Sequence, residues 1–302
     1  MRFGITIDVS APLPAVIEEV DRLRDSGFDT AAASQIFGYD ALTLLAVVGA
    51  HVPDIELMTA VVPTYPRHPI MLAAQALTVQ SATGGRLTLG IGLSHQIVIE
   101  GVFGYSFERP AHHMHEYLSA LLPLLRGEPG AFIGDTVRAT TLGPIEVDAP
   151  VPSVLVAALA PRMLAMAGGM ADGTATWMTG PATLESHIVP SIRAAATDAG
   201  RPSPRVVAAF PVCVTTDVED ARRRAAEVFS IYGQLPSYQA MLEREGAQGP
   251  ADVAIVGDEE QVAAQVRHLA SIGVTDFGAA PYGGPDERAA TMELLAALSA
   301  EA

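Results

Sequence analysis

The feature that most restricts the fold of this chain is an alternation of apolar, strand-like runs with helical runs, repeated eight times along the sequence. In the first unit, the run at 2–8 precedes a segment in which Val16, Val20 and Leu23 recur at helical spacing and Gly27 marks a stop. The eight strand-like runs are residues 2–8, 28–34, 55–63, 86–94, 152–160, 172–180, 205–215 and 274–282. Most of them are continuously apolar, as expected for parallel strands covered on both sides.

This order predicts an α/β protein folded as a single (β/α)8 TIM barrel over residues 1–302. Two long connections predict insertions. A hairpin-like segment at 128–150 follows strand four, and a helical lid at 217–256 follows strand seven, with 217–245 as one long helical stretch. A doubly wound open sheet is the alternative that the pattern leaves open. In a barrel, the active site lies at the carboxyl ends of the strands.

Composition excludes several classes of function. The net charge of −16 argues against nucleic acid as a partner, because nucleic-acid binding needs a basic surface. All 18 basic residues are arginines, so Schiff-base, pyridoxal-phosphate and P-loop chemistry lack their lysine. The lone Cys213 excludes an internal disulfide and a cysteine-rich metal site. Since no apolar run reaches the roughly 18 residues of a membrane span and no signal peptide is evident, we expect a cytoplasmic, soluble protein that is not bound to a membrane.

The segment GIGLSHQ (90–96), at the end of strand four, resembles two motifs and matches neither. A dinucleotide fingerprint needs a third glycine where His95 stands, and a nucleophile elbow needs a glycine where Gln96 stands. Two interpretations remain. Either Gly90 and Gly92 let a flat ligand approach the backbone beside Ser94 and His95, or they relieve crowding inside the barrel.

Two other polar patterns are best explained without function. In HHMH, His112 and His115 share a helix face, with no third ligand or carboxylate at metal spacing, so we expect a solvated helix start and no metal site. His113 belongs to the same start. The acidic run that opens with Asp258 is typical of a capped helix N-terminus.

The segment PRMLAMAGG (161–169) begins a helix directly after a strand, with Pro161 and Arg162 in the first turn. Free N–H groups at a helix start, beside a guanidinium, suit a phosphate. An ordinary strand–helix junction is the alternative.

Longer segments of the sequence resemble a known family. ELMTAVVPTYPRHPIMLAAQALTVQSATGGRLTLGIG, LVAALAPRMLAMAGGMADGTATW and VGDEEQVAAQVRHLASIGVTDF are similar to segments of the bacterial luciferase-like flavin and deazaflavin oxidoreductases. The resemblance covers essentially the whole chain, and its details are most similar to the subgroup that uses coenzyme F420. It implies a barrel that binds this deazaflavin, with FMN as the alternative cofactor.

The resemblance also implies a set of site residues. A non-proline cis peptide bond would fall within Thr59–Val61, at Ala60–Val61, where it supports the deazaflavin ring. The other implied cofactor contacts are Gln35, Thr64, Ile91, Gly92, Gln96, Ala158, Leu159, Ala160, Arg162 and Met163. Of these, residues 158–163 match the segment that holds the cofactor tail and phosphate.

Three departures from the F420-dependent sugar-phosphate dehydrogenases change the expected substrate. Their catalytic histidine is Ile36 here, their glutamate is Leu93, and their phosphate-binding lysine corresponds to Gly180. A sugar phosphate is therefore not the expected substrate. Ile36, Leu93 and Trp177 would instead face an apolar or aromatic substrate, although Trp177 also suits a barrel core.

These features predict an F420-dependent oxidoreductase that moves a hydride between C5 of the deazaflavin and a small organic substrate, reducing an activated C=C or C=N bond. His95, and secondly Tyr65, would supply a proton. The alternatives are an FMN-dependent monooxygenase and a non-catalytic flavin- or deazaflavin-binding protein. The resemblance implies a homodimer.

Overall fold

The structure is a computed structural model and describes residues 1–35 and 37–302. Its strands, in chain order, are β1 (Arg2–Thr6), β2 (Thr30–Ala33), β3 (Glu56–Thr59), β4 (Val62–Pro63), β5 (Leu87–Gly92), β6 (Ala131–Ile133), β7 (Arg138–Thr140), β8 (Ser153–Val156), β9 (Gly173–Trp177), β10 (Arg205–Val214), β11 (Ile255–Gly257) and β12 (Asp276–Pro281). Eight of them pair in parallel around a ring in the order β1, β2, β3, β5, β8, β9, β10 and β12. The pairing of β12 with β1 closes the ring. The predicted (β/α)8 barrel is therefore confirmed, and the open sheet is wrong.

Helices surround this barrel. They are α1 (Leu13–Asp25), α2 (Ala41–His51), α3 (Pro69–Ala82), α4 (Gln96–Gly101), α5 (Pro110–Leu125), α6 (Pro161–Gly169), α7 (Pro181–Thr183), α8 (Val189–Asp198), α9 (Val218–Val228), α10 (Pro236–Glu245), α11 (Glu259–Ser271) and α12 (Pro285–Ala300). The helical spacing noted in α1 is the buried face of that helix, formed by Val16, Val20 and Leu23. Asp258 caps α11, as predicted, because its carboxylate accepts a hydrogen bond from the Gln261 N–H.

The two predicted insertions are present, and one of them differs in detail. β6 and β7 form an antiparallel hairpin within 128–150. The single helix predicted over 217–245 is wrong, because α9 ends at Val228 and a 3-10 turn (Ser230–Gln234) precedes α10. The break has a local cause: Pro236 disfavours helical geometry at Leu235, which is extended with a ψ of 123°. The loop after β5 contains α4, which the sequence pattern did not predict.

A network of charged side chains fills the end of the barrel at the amino termini of its strands. The Arg205 guanidinium lies 2.5 Å from Oδ1 of Asp276 and 2.9 Å from Oε1 of Glu56, and Arg2 donates to Glu56 at 2.8 Å. Each arginine contacts both carboxylates, so the charges are paired where burial would otherwise penalise them. These ion pairs therefore form a structural plug in the barrel, and the active site of such a fold lies at the opposite end, where the strands have their carboxyl termini.

Within the described part of the chain, the helices are all too short or too polar to cross a membrane.

Candidate active site

The end of β3 carries the non-proline cis peptide bond predicted from the resemblance, and it lies at Ala60–Val61. The backbone here is held on both sides. The Ala60 N–H donates to the Ala33 carbonyl at 2.8 Å, and the Ser34 hydroxyl donates to the Ala60 carbonyl at 3.1 Å. Thr59 is tied to Gly90 of β5 by two hydrogen bonds of 2.8 Å. The chain therefore bulges between β3 and β4 in a fixed position.

Gly90 and Gly92 make room for this bulge. A Cβ atom added at Gly90 would lie 2.0 Å from the Thr59 carbonyl oxygen, and one added at Gly92 would lie 2.8 Å from Val61 Cγ2. Of the two interpretations left open by the sequence, relief of crowding is the one that these neighbours support.

Thr64, Tyr65 and His113 form a cluster directly after the bulge. The Thr64 N–H donates to the Gly92 carbonyl at 2.9 Å, and its hydroxyl lies 3.2 Å from Nε2 of His113. The His113 ring stacks on Tyr65 with ring centroids 4.0 Å apart and planes at 13°. Because His113 is only 7% exposed, burial lowers its pKa to about 4. A neutral imidazole therefore supports both predicted site residues.

The hydroxyl of Tyr65 is unusual among the polar groups of this region. It is buried and has no hydrogen-bond partner among residues 1–35 and 37–302. Burial, with a smaller contribution from the negative charge of Glu100, raises the pKa of Tyr65 to about 12. The phenol consequently keeps its proton at neutral pH and has a free hydrogen to donate.

Contrary to the prediction, the HHMH segment does not lie wholly at a solvated helix start. His115 is exposed as predicted, but His113 is buried against Thr64 and Tyr65. The spacing of His113 with Tyr117, Leu121 and Leu124, all on the buried face of α5, was the available signal.

The prediction that no carboxylate lies at metal-binding spacing from the histidines of HHMH is also wrong. His112 Nε2 lies 3.1 Å from Glu116 Oε1 and 3.4 Å from Asp135 Oδ2, so the three side chains are close enough to share an ion. Glu116, however, already accepts hydrogen bonds from the N–H groups of Asp135, Thr136 and Val137. This group therefore fastens the β6–β7 hairpin to α5.

The residues at and after the end of β5 contact different parts of the structure. Ser94 has a φ of 59°, which is uncommon outside glycine, and the chain then turns into α4. His95 is half-buried, burial lowers its pKa, and its ring centroid lies 5.9 Å from that of Tyr238 in α10. Gln96 is exposed and donates to Glu100 at 3.0 Å. His95 thus faces the lid, whereas Gln96 is engaged along its own helix; Leu93 packs, half-buried, against the core.

The start of α6 is open to solvent. Ala160, Pro161 and Arg162 are exposed, and no side chain caps the first turn. In the described residues, Arg162 forms no ion pair. Ala158 and Met163 are buried beneath this turn, and the Leu159 carbonyl bonds to His187 at 2.9 Å. A helix start of this kind offers free N–H groups and a cation to an anionic group.

Gln35 lies at the end of β2 and is part of a polar group. Its side-chain oxygen accepts from the Ala41 N–H at 2.8 Å and from Arg67 at 3.2 Å, and Arg67 also binds Asp40. The neighbouring residue predicted to face substrate, Ile36, lies outside the described residues. Ile91 is buried in β5 and pairs with Val62 of β4, beside the bulge.

The lid brings aromatic side chains to the end of β9. Trp177 meets Phe229 and Tyr232 edge to face at centroid distances of 5.9 and 6.0 Å, and Tyr232 meets Tyr238 at 5.0 Å. Burial raises the pKa of Tyr232, and the neighbouring Trp177 indole N–H partly offsets that rise. These contacts make the surroundings of Trp177 apolar and aromatic.

Comparison with known protein families tests the resemblance that the sequence suggested. The family of luciferase-like monooxygenases matches residues 1–276 of the 302. The chain belongs to this luciferase-like family. This member of the luciferase-like family therefore has a barrel with a cis peptide bond at Ala60–Val61 and a long insertion after β10.

The relatives of this luciferase-like chain include reductases and oxidoreductases. It is 26% identical over 319 aligned positions to a 5,10-methylenetetrahydromethanopterin reductase of Methanolobus tindarius, covering 96% of this chain and 97% of the relative. It is 28% identical over 288 positions to a candidate coenzyme F420-dependent oxidoreductase of Mycobacterium tuberculosis, covering 87% and 78%. The solved coenzyme F420-dependent tetrahydromethanopterin reductase of Methanopyrus kandleri superposes with a TM-score of 0.81 at 22% identity, covering 98% and 97%. This last likeness establishes the fold.

Proposed function

We propose that this luciferase-like chain is a coenzyme F420-dependent oxidoreductase. It transfers a hydride between the deazaflavin and a small apolar or aromatic substrate, and it reduces an activated C=C or C=N bond. The observation that carries the proposal is the exposed, uncapped start of α6 beside Arg162, which forms no ion pair with the described residues, on a barrel whose relatives include F420-dependent enzymes. An anionic cofactor tail is the kind of group that such a helix start binds.

The described residues fit this cofactor in three respects. The α6 start offers N–H groups and a guanidinium for the tail. The bulge at Ala60–Val61 lies between β2 and β5, where a ring would rest against the backbone. The Tyr65 hydroxyl is buried without a partner and so has a hydrogen to offer a bound group. The remaining proposed contacts are Gln35, Thr64, Ile91, Gly92, Gln96, Ala158, Leu159, Ala160 and Met163.

The substrate side favours an uncharged, apolar molecule. Trp177, Phe229 and Tyr232 present aromatic surface, and the chain has no lysine with which to pair a phosphate. Leu93, together with Ile36, which lies outside the described residues, extends this apolar character in the proposal. Closure of the aromatic lid excludes water, which protects a hydride transfer from competing reactions.

Proton supply is assigned to the side chains at the barrel mouth. When bound, the deazaflavin supplies the hydride from C5. We propose that His95 donates the proton at the neighbouring substrate atom, with Tyr65 as the second candidate. Tyr65 holds its proton at neutral pH because its pKa is raised to about 12, and His95 lies beside the lid residue Tyr238. Tyr65 thus combines a retained proton with partial burial, whereas His95, whose pKa is lowered by burial, would donate from the N–H of its imidazole.

The test is a fluorescence titration of the purified protein with F420 and, separately, with FMN. We expect saturable binding of F420 and weaker binding of FMN. Arg162→Ala should weaken F420 binding by about tenfold, because one charge-assisted contact is worth roughly 1.4 kcal/mol. Arg138→Ala, which removes an exposed arginine of the hairpin, serves as the matched control and should leave binding unchanged.

The other outcomes separate the alternatives. Preference for FMN would overturn the proposal in favour of a luciferase-like monooxygenase, which is the activity for which the family is named. Binding of F420 without turnover of any acceptor would favour a non-catalytic deazaflavin-binding protein. We further propose that residues 1–302 form one domain and that two chains form a homodimer, which light scattering of the purified protein would test.

A further inference from the structure

The carboxylate of Glu245, the last residue of α10, lies on the start of the helix that follows β9. Its Oε1 accepts a hydrogen bond from the Ala182 N–H at 3.1 Å, and its Oε2 accepts one from the Thr183 N–H at 2.7 Å. Gly180, the residue before this helix, contributes no side-chain cap. A residue more than 60 positions away therefore satisfies the N–H groups that a local side chain ordinarily caps.

The glycine at position 180 is what makes room for this carboxylate. Its φ of −66° is open to every residue type, so the backbone does not require glycine there. A Cβ atom at Gly180 would, however, lie 2.2 Å from Cδ of Glu245. The buried Thr183 adds a second contact, a long hydrogen bond of 3.4 Å from its hydroxyl to the Met241 carbonyl. The space beside Gly180 and the hydrogen-bonding groups of the helix start thus both fit the carboxylate at the end of α10.

This contact fastens the part of the lid that carries the aromatic side chains. Segment 229–245 places Phe229 and Tyr232 against Trp177 and places Tyr238 against His95. The apolar side of the same segment is a small cluster built on Leu242, Val253 and Met178. Apolar contacts of this kind do not set the direction of a helix end, whereas two directed hydrogen bonds to a carboxylate do.

We infer that Glu245 is a positioning and specificity-determining residue. It latches the lid onto the helix start after β9, and its carboxylate occupies the place in which those N–H groups would otherwise bind an anion. The substrate that fits beside Trp177 is consequently not anionic at this end. The assignment of the substrate side rests on the proposed function, whereas the latch rests on the contacts alone.

The first experiment needs no cofactor. Limited chymotrypsin digestion, mapped by mass spectrometry, compares the wild type with Glu245→Ala and with the matched control Glu243→Ala, which removes an exposed carboxylate from the same helix. We expect cleavage after Phe229, Tyr232 or Tyr238 to be at least tenfold faster in Glu245→Ala and unchanged in the control. Glu245→Gln, which keeps one acceptor oxygen and the shape of the side chain, should lie between them.

An added anion should replace the missing carboxylate. In Glu245→Ala, sodium formate or sulfate should slow cleavage toward the wild-type rate and raise the Tm, relative to sodium chloride of equal ionic strength. The wild type and Glu243→Ala should show no such difference between salts. Equal cleavage rates in all four proteins, or the same anion effect in all of them, would overturn the inference. If Glu245→Ala does not fold, Glu245→Gln carries the same comparisons.

The second experiment tests specificity in the presence of F420 and an uncharged acceptor. Glu245→Ala should raise KM several-fold with a smaller change in kcat, and formate should restore KM. A wild type that binds no F420 would remove the proposed function, and the digestion and salt measurements would still decide whether Glu245 latches the lid. F420 binding together with an unchanged lid in Glu245→Ala would remove the latch and leave the proposed function intact.

Discussion

Replacement of His113 by phenylalanine tests whether a buried neutral imidazole supports the site. Phenylalanine keeps a ring that can stack on Tyr65, which lies 4.0 Å away, and removes the hydrogen bond to the Thr64 hydroxyl. At pH 7.5 the loss of this bond and the unpaired buried hydroxyl should destabilise the fold by about 1–2 kcal/mol. His115→Phe, an exposed histidine of the same helix start, is the matched control and should change stability little.

The pH dependence of this effect follows from the pKa of His113. Because that pKa is lowered from 6.5 to about 4 in the folded protein, the unfolded chain binds a proton first as the pH falls. The wild type therefore loses stability from about pH 6.5 downward, and the loss continues until the folded pKa is reached. Between pH 7.5 and 5.5 this proton linkage should lower the free energy of unfolding by about 1.3 kcal/mol. After a discount for solvent screening, the expected decrease is roughly half of that value.

Urea unfolding of the wild type, His113→Phe and His115→Phe at pH 7.5, 6.5 and 5.5 measures this difference. Removal of His113 removes its proton linkage, so the stability gap between wild type and His113→Phe should narrow as the pH falls. Glu116, whose charge faces His113, titrates below this window because its pKa is lowered to about 2. His112, which also faces it, is present in all three proteins. A gap that stays constant from pH 7.5 to 5.5 would refute the assignment of His113 as a buried neutral group.

Three further changes test other parts of the structure. Gly90→Ala should destabilise the fold by at least about 3 kcal/mol in urea unfolding, because its Cβ would meet the Thr59 carbonyl at 2.0 Å, whereas Gly101→Ala, with open space around it, should cost less than about 1 kcal/mol. Asp276→Asn should cost about 2–4 kcal/mol, since it leaves Arg205 with half of its carboxylate partners at the plugged end of the barrel; an unchanged Tm would contradict this. His95→Ala should lower turnover at least about tenfold while F420 binding persists, and unchanged turnover would exclude His95 as the proton donor.

Arg162 and Glu245 place opposite charges at two helix starts of the proposed site. The start of α6 is exposed and uncapped, and the guanidinium of Arg162 beside it has no carboxylate partner in the part of the chain that the structure describes. The helix start after β9 is already occupied by the carboxylate of Glu245. In a chain with a net charge of −16, these two ends explain why an anionic tail would be accepted at one place and refused at the other.

The sequence alone determined the barrel, because periodicity reports on neighbours within a few residues and the order of elements restricts their connections. It also located the bulge at Ala60–Val61, through the resemblance, and the open helix start at Arg162. The absence of lysine, read directly from the sequence, excluded whole classes of chemistry.

Tertiary structure decided the points that depend on residues far apart in the chain. The need for glycine at position 90 is explained only by its contact with Thr59, 31 positions away. The role of His113 is explained only by its contact with Thr64, 49 positions away. Glu245 reaches a helix start 62 positions before it. Periodicity indicates at most that such a residue is buried, as for His113 on α5; the partner it meets depends on how the closed ring of strands brings separate loops together at one end.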